Sequence, residues 1–269
     1  MRTILVVVVV SEQYFVIKSV RKAIALLRAF PKGQAELGVS ELSERLGFSK
    51  TVTQRLVLTL ASEGLLRQNP QSRKYALSPR VVEIAGSFLS ASPLTQEGRK
   101  YVYALVRSTG MTGALGILSG REVLYLVSIE ADASVKAASL NGDRSPVHAT
   151  ASGKCLLAFL PEDERNALVA KLDFKALTSK TITNRETFLQ ELASTALRGY
   201  ATNQEERVQG LAGVAAPILG SEGRGIAALS VGIPRGLVSD RDIETIADKT
   251  VTVAKEMSEK LQGMLCITT

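Results

Sequence analysis

The stretch from Leu37 to Leu77 constrains the fold most strongly, because it joins two short helical patterns by a tight glycine turn. Ser40 is a candidate N-cap for the first helix, and Gly47 ends its apolar pattern. Ser49 can cap a second helix directly after the turn. Two helices joined by three or four residues that include Gly are typical of a helix-turn-helix.

The second helix is amphipathic, and its first two turns carry polar and basic side chains of the kind that contact base edges. One of them, Thr53, also lies on the apolar face of the helix. After Gly64 a hairpin is predicted, with its turn at Asn69–Ser72, which would be the wing of a winged helix. We expect bases to be read by Lys50, Thr51, Thr53, Gln54 and Arg55. We expect phosphates to be held by Ser49, Arg67, Arg73 and Lys74.

The positive charge of the chain is concentrated in this segment. From Tyr14 to Arg80 there are twelve Lys or Arg and four Glu, a net charge of +8, whereas the whole chain carries +7. A basic segment in an otherwise neutral chain indicates nucleic-acid binding. The competing interpretation is an αα-hairpin within an enzyme, whose polar face only meets solvent.

Composition excludes several classes of site. With one His and two Cys, the chain offers neither a multi-histidine metal site nor a disulfide framework, so we expect no metal, no cofactor and a reduced, cytoplasmic setting. The apolar run Ile4–Val10 is far shorter than the roughly 20 residues that span a bilayer, so no membrane partner is expected. The run would be an edge strand or the product of a start codon placed too far upstream.

Beyond Gly110 the pattern changes to antiparallel strands with helices between and after them, which indicates an α+β domain in which a sheet is flanked by helices. Strands are predicted at Thr112–Leu118, Glu122–Ile129, Val135–Leu140, Gly213–Leu219 and Gly225–Val231. A helix is predicted at Ser152–Leu160 and a long closing helix from Asp240. The predicted organisation is a tail of unknown role at 1–13, a winged helix-turn-helix at 14–78, a linker helix at 79–92 and a ligand-binding, oligomerising domain at 93–269.

Several motifs then become specific. They are Gly47-Phe48-Ser49-Lys50-Thr51, the string from Arg144-Ser145-Pro146-Val147-His148-Ala149-Thr150-Ala151 to Lys154, and Gly199-Tyr200-Ala201. With these motifs the chain resembles the IclR family of bacterial transcriptional regulators, from about Val16 to about Gly263. The resemblance implies a GAF-like effector-binding domain behind the winged helix. It also implies a dimer, or a dimer of dimers, on a pseudo-palindromic operator in double-stranded DNA, more often as a repressor, with operator binding or promoter action changed by a small organic or aromatic acid.

The same string offers a chemical reason for acid binding. Thr150, Ala151, Ser152 and Gly153 would lie at the N-terminus of the predicted helix, where free N–H groups and the helix dipole favour an anion. The competing interpretation is that a hydroxyl there only caps the helix. The resemblance adds Asn203, Gln204 and Ser230 to the effector site. Many relatives have acids where this chain has Asn203 and Gln204, and an amide suits a carboxylate ligand better because it can donate.

Two other functions remain open at this stage. The first is an enzyme that uses His148 and Cys155 as a base and a nucleophile. Because Cys155 is followed by apolar residues, a small buried side chain is the favoured reading, and we assign no catalytic residue. The second is a constitutive DNA binder whose C-terminal domain only dimerises.

Overall fold

The computed structural model of the protein describes residues 16–31, 36–134, 136–137 and 141–267. It forms two compact units that separate between Ala91 and Ser92, and each has its own hydrophobic core. We call them the N-terminal and the C-terminal unit. Within the described ranges, no helix is both long enough and apolar enough to cross a bilayer.

The N-terminal unit is a three-helix core with a two-stranded wing. Antiparallel pairing joins the two strands, and Leu37 forms one further bridge to Tyr75. Side chains from all three helices and from the wing meet in a single buried cluster, which includes Leu26, Leu42, Val57, Leu66 and Tyr75. The elements are α1 (Lys18–Arg28), α2 (Val39–Leu46), α3 (Lys50–Ser62), β1 (Leu66–Gln68), β2 (Tyr75–Leu77) and α4 (Arg80–Ala91).

The turn between α2 and α3 follows the sequence signals, but the start of α2 does not. Gly47 adopts a φ of 65°, a left-handed conformation that glycine reaches without strain, and Ser49 caps α3 by accepting the Val52 N–H at 3.4 Å. The prediction of Ser40 as the N-cap of α2 is wrong. Gly38 occupies that position, because the Glu41 carboxylate reaches back to its N–H at 2.5 Å and satisfies the helix start.

The wing has a longer tip than predicted. Its strands end at Gln68 and resume at Tyr75, so Arg73 and Lys74 belong to the turn rather than to a strand. The Asn69 side chain organises this tip by accepting backbone N–H groups at 2.9 and 3.3 Å. Arg73 sits there with a φ of 58°.

The C-terminal unit is one antiparallel six-stranded sheet with helices on both faces. The strand order is β5-β4-β3-β8-β7-β6, and every neighbouring pair is antiparallel. The elements are α5 (Pro93–Thr109), β3 (Thr112–Ser119), β4 (Glu122–Ile129), β5 (Arg144–Pro146), α6 (Ala151–Ala158), α7 (Glu162–Val169), α8 (Arg185–Arg198), β6 (Ala201–Gln204), β7 (Leu211–Leu219), β8 (Gly225–Pro234) and α9 (Asp240–Ile267).

Period-two alternation on the central strands separates two cores. On β7, Val214 and Ile218 face the α5 and α9 side, whereas Ala215 faces the α6 and α8 side. On β8, Leu229 and Ala228 divide in the same way. The first face is filled by large aliphatic side chains. The second face carries mainly small residues under α6, and they leave a cavity between this helix and the sheet.

The predicted fold class is confirmed: a winged helix-turn-helix, helices leading out of it, and an antiparallel sheet flanked by helices. Two short edge strands, β5 and β6, were not predicted. Residues 135 and 138–140 of the predicted strand Val135–Leu140 lie outside the described residues. Its two described members, Lys136 and Ala137, are not in a strand.

Candidate functional site

A cavity of about 80 Å³ lies in the C-terminal unit between the N-terminus of α6 and the strands β3, β6, β7 and β8. It exists because the sheet presents small residues on this face, among them Ala114, Gly213 and Gly232. A Cβ atom at Gly232 would lie 2.6 Å from the Cβ of Ala137, so glycine at this position allows Ala137, another residue of the lining, to approach the sheet closely. The polar residues of its lining are Thr112, Tyr125, Thr150, Ser152, Asn203, Arg207 and Ser230.

The N-terminus of α6 forms one wall of the cavity, and its cap is already complete. The Thr150 hydroxyl donates to the Pro146 carbonyl at 3.1 Å and accepts the Gly153 N–H at 3.2 Å. Thr150 is therefore a capping residue, and the capping interpretation holds for this side chain. Ser152 differs, because its hydroxyl only accepts a long bond of 3.4 Å from the Tyr125 hydroxyl. It keeps its own proton for a ligand.

Asn203 and Ser230 bring further polar groups to the opposite wall. Asn203 is 6% exposed, and its Oδ1 accepts the Glu206 N–H at 2.8 Å, which turns the amide nitrogen into the free end of the side chain. The Ser230 hydroxyl donates to the Ala114 carbonyl at 3.3 Å and keeps its lone pairs. The cavity therefore offers both a hydrogen-bond donor and a hydrogen-bond acceptor, from residues that are buried as a whole.

Sequence reasoning missed several residues of the cavity lining, among them Thr112, Tyr125 and, as its charged member, Arg207. Arg207 follows Glu205 and Glu206, and in the sequence a basic residue after two acids reads as their local partner. The structure shows otherwise, because Glu205 pairs with Lys180 at 2.5 Å and Glu206 pairs with Lys154 at 2.7 Å. Arg207 makes no hydrogen bond or ion pair with any other described residue, and it is the one charged side chain among the described residues of the lining.

The structure brings most of the expected effector-binding residues together. Thr150, Ala151, Ser152, Asn203 and Ser230 all line the cavity. Gly153 and Gln204 do not. Gly153 packs against Val147, since a Cβ there would lie 2.3 Å from that residue's Cα atom, and its N–H is used by the helix cap. Gln204 is exposed because successive residues of a strand face opposite sides of the sheet.

A buried ion pair holds the cavity wall together. Lys154 of α6 is 2% exposed, and its Nζ lies 2.7 Å from Oε1 of Glu206, which is 5% exposed, and 3.5 Å from Oε1 of Glu191. The Thr181 hydroxyl donates to the Glu206 carbonyl at 2.6 Å from the other side. Together these contacts fix the segment that carries Asn203 and Arg207 against the helix that carries Ser152.

The geometry around His148 and Cys155 does not support nucleophilic catalysis. Cys155 is fully buried, and this burial raises the pKa of its thiol well above the ordinary range, so the thiol stays protonated. The Nε2 of His148 lies 3.0 Å from the Lys175 carbonyl. A carbonyl can only accept, so this nitrogen carries the proton and cannot act as a base. Among the described residues no three His, Cys, Asp or Glu side chains are grouped to hold a metal ion.

The expected DNA contacts divide by exposure. The exposed cations Lys50, Arg55, Arg67 and Arg73 form no ion pair with other described residues, which leaves them available to a polyanion. Lys74 is partly engaged, because its Nζ lies 3.1 Å from the Glu41 carboxylate. Ser49 and Thr51 are exposed on α3, and Gln54 is half-buried.

The structure removes Thr53 from the expected base contacts. Its side chain is fully buried, and its hydroxyl donates to the Ser49 carbonyl at 3.1 Å. It therefore belongs to the core of the N-terminal unit rather than to a surface that DNA could reach.

Known proteins resemble the chain over nearly its whole length. The family model described as "Bacterial transcriptional regulator IclR C-terminal" matches residues 86–259, and the one described as "IclR helix-turn-helix domain" matches residues 19–70. The HTH-type transcriptional regulator XynR of Escherichia coli is 36% identical over 91% of this chain and 98% of its own length. The HTH-type transcriptional regulator BhcR of Paracoccus denitrificans is 30% identical over 82% of this chain and 80% of its own. The solved structure of a transcriptional regulator from Alicyclobacillus acidocaldarius superposes with a TM-score of 0.82, at 25% identity, over 91% of this chain and 99% of that one.

Proposed function

The chain belongs to the IclR family of bacterial transcriptional regulators, and from that premise we propose that it is a repressor whose hold on its operator is released by a small organic acid. It is a DNA-binding regulator with an effector domain, not an enzyme. Since its target is the chromosome, we expect the protein to act in the cytoplasm.

The cavity on the N-terminus of α6 carries the proposal. A helix N-terminus favours negative charge, and the described lining adds the cation Arg207 and no acidic side chain. A neutral or cationic compound would leave this positive potential unused. An organic acid would be bound by it.

The DNA-binding half rests on α3 and the wing. We propose that Lys50, Thr51, Gln54 and Arg55 read base edges in the major groove, with Ser49, Arg67, Arg73 and Lys74 on the phosphates. Thr53 supports the helix from the core.

A pseudo-palindromic operator needs two such units, so we propose that the protein acts as a homodimer or as a dimer of dimers. The exposed apolar side chains of α4 support self-association: Val82 is 69% exposed, Ile84 is 64% exposed, and no residue of this helix is buried. The acid then releases repression if it binds better to an arrangement of the subunits that does not fit both half-sites.

The test is a gel-shift titration of the full chain on the DNA upstream of its own gene, against scrambled competitor, with and without a panel of small acids. We expect sequence-specific retardation that one class of acid weakens. Arg55→Ala should reduce the preference over scrambled DNA, whereas Arg185→Ala, an exposed arginine on α8, should change nothing. No retardation by a folded protein at moderate salt would refute the DNA-binding assignment, and retardation that no acid alters would favour a constitutive DNA binder.

A further inference from the structure

We propose that the cavity selects a short aliphatic hydroxy acid over an aromatic acid, and that Arg207 binds its carboxylate. The inference rests on the proposed function, because it names the effector class of the same site. It follows from three properties of the cavity: one unpaired cation, buried hydroxyl and amide groups, and a small volume.

The charge argument starts from Arg207. The two acids before it in the chain are paired with Lys180 and Lys154. Arg207 lines both the cavity and a neighbouring surface pocket that includes Lys180 and Glu205, and it has no counter-ion among the described residues. A half-buried arginine that lacks a partner among the described residues is a good site for a carboxylate, since Arg can form two parallel hydrogen bonds to it. The helix dipole at the N-terminus of α6 adds to the same potential.

The hydroxyl preference comes from Asn203, Ser152 and Ser230. The amide nitrogen of Asn203 forms no hydrogen bond with another described residue, and the residue as a whole is only 6% exposed. Ser152 can still donate and Ser230 can still accept. Buried polar groups left unpaired are costly, so a ligand that supplies hydroxyl groups is favoured over one that presents a ring edge.

Size points the same way. A cavity of about 80 Å³ has room for about five to eight water-sized groups, on the basis of roughly 10–15 Å³ for each. A two- or three-carbon hydroxy acid matches this space, whereas a benzoate ring with its carboxylate would have to extend toward the open side of the cavity.

Isothermal titration of the full chain with defined probes tests the inference. The aliphatic arm is glycolate, lactate and glycerate, the aromatic arm is benzoate and 4-hydroxybenzoate, and lactamide is the uncharged counterpart of lactate. Each probe is also titrated into Arg207→Gln, into Arg207→Lys as the conservative variant, and into Arg185→Gln as a matched surface control. Circular dichroism and the thermal midpoint of each variant without ligand establish that it is folded.

We expect an aliphatic hydroxy acid to bind more tightly than either aromatic acid, and lactamide not to bind. Arg207→Gln should reduce the affinity for the acid by about 10- to 100-fold, as expected for the loss of a hydrogen bond to a charged group. Arg207→Lys should reduce the affinity less, and Arg185→Gln should bind the acid as the parent does. Tighter binding of benzoate than of any aliphatic acid would overturn the inference, and so would equal binding by the parent and both folded Arg207 variants. In either case the proposed function stands if the acid that binds also alters the retardation of operator DNA in the gel shift. Binding of no acid from either arm would overturn the inference, whereas the proposed function is decided separately by the gel-shift titration.

Discussion

Replacing Lys154 by methionine should destabilise the C-terminal unit by about 3–5 kcal/mol, because the substitution leaves the buried carboxylate of Glu206 without its cation. Glu191 is not stranded in the same way, since Arg198 lies 3.5 Å from it. For a unit of this size, 1 kcal/mol corresponds to about 2–4 °C in the thermal midpoint. The expected loss is therefore about 6–20 °C.

The measurement is urea unfolding of the full chain, from which the free energy of unfolding of the C-terminal unit is obtained. Adding Glu206→Gln to Lys154→Met removes the stranded charge and should restore about 1–3 kcal/mol of the loss. Lys180→Met is the matched control, because it removes the lysine partner of Glu205, the residue next to Glu206. Since the Lys180 side chain is 56% exposed, its loss should lower the free energy of unfolding by no more than about 1 kcal/mol. A loss below about 1 kcal/mol for Lys154→Met, or a double variant no more stable than the single one, would refute the reasoning.

Three further predictions concern other parts of the molecule. Arg55→Ala should reduce the binding free energy for the specific operator by about 1–3 kcal/mol and relax base preference. Arg67→Ala should instead weaken binding to all DNA sequences alike and reduce the slope of log affinity against log salt by about one unit, as binding titrations over salt would reveal. Equal losses of affinity for specific and scrambled DNA in Arg55→Ala would contradict this. Gly153→Ala should cost about 1–3 kcal/mol in urea unfolding, because its Cβ would lie 2.3 Å from backbone atoms of Val147, and a neutral result would show that α6 is free to shift. The hydrogen bond from the Gly38 N–H and the ion pair with Lys74 lower the pKa of Glu41 from 4.5. The stability that this carboxylate contributes is therefore present above pH 4.5 and is lost as the pH falls through the lowered pKa. Glu41→Gln should reduce the acid sensitivity of the N-terminal unit in thermal melts between neutral pH and pH 3, and an unchanged profile would contradict the assignment.

Local signals carried the sequence analysis of the N-terminal unit. Gly47 and Ser49 set the turn and the start of α3 by backbone conformation and a side-chain cap, both of which depend on a few neighbouring residues. Thr53 shows the limit of residue type as evidence. Its position on the apolar face already placed it in the core, and its polarity alone suggested a base contact. Burial, which follows from helical periodicity, decides between the two.

The cavity was only half predictable, because half of it depends on contacts between distant residues. Ser152 and its neighbours could be placed at a helix start from the sequence. Arg207 could not be recognised as an unpaired cation, since the partner of Glu206 is Lys154, which precedes it by 52 residues. The edge strand β6 was missed for the same reason, since its four residues are extended only through pairing with β7.

The coupling between acid and operator tests the central claim most directly. Titration calorimetry would give the dissociation constant of the tightest acid of the panel, for the free protein and for the protein saturated with its operator. Linkage requires that the operator change the affinity for the acid by the same factor as the acid changes the affinity for the operator. We predict weaker acid binding to the operator complex. If the protein bound the acid with the same dissociation constant with and without the operator, the account of a repressor released by its effector would be contradicted.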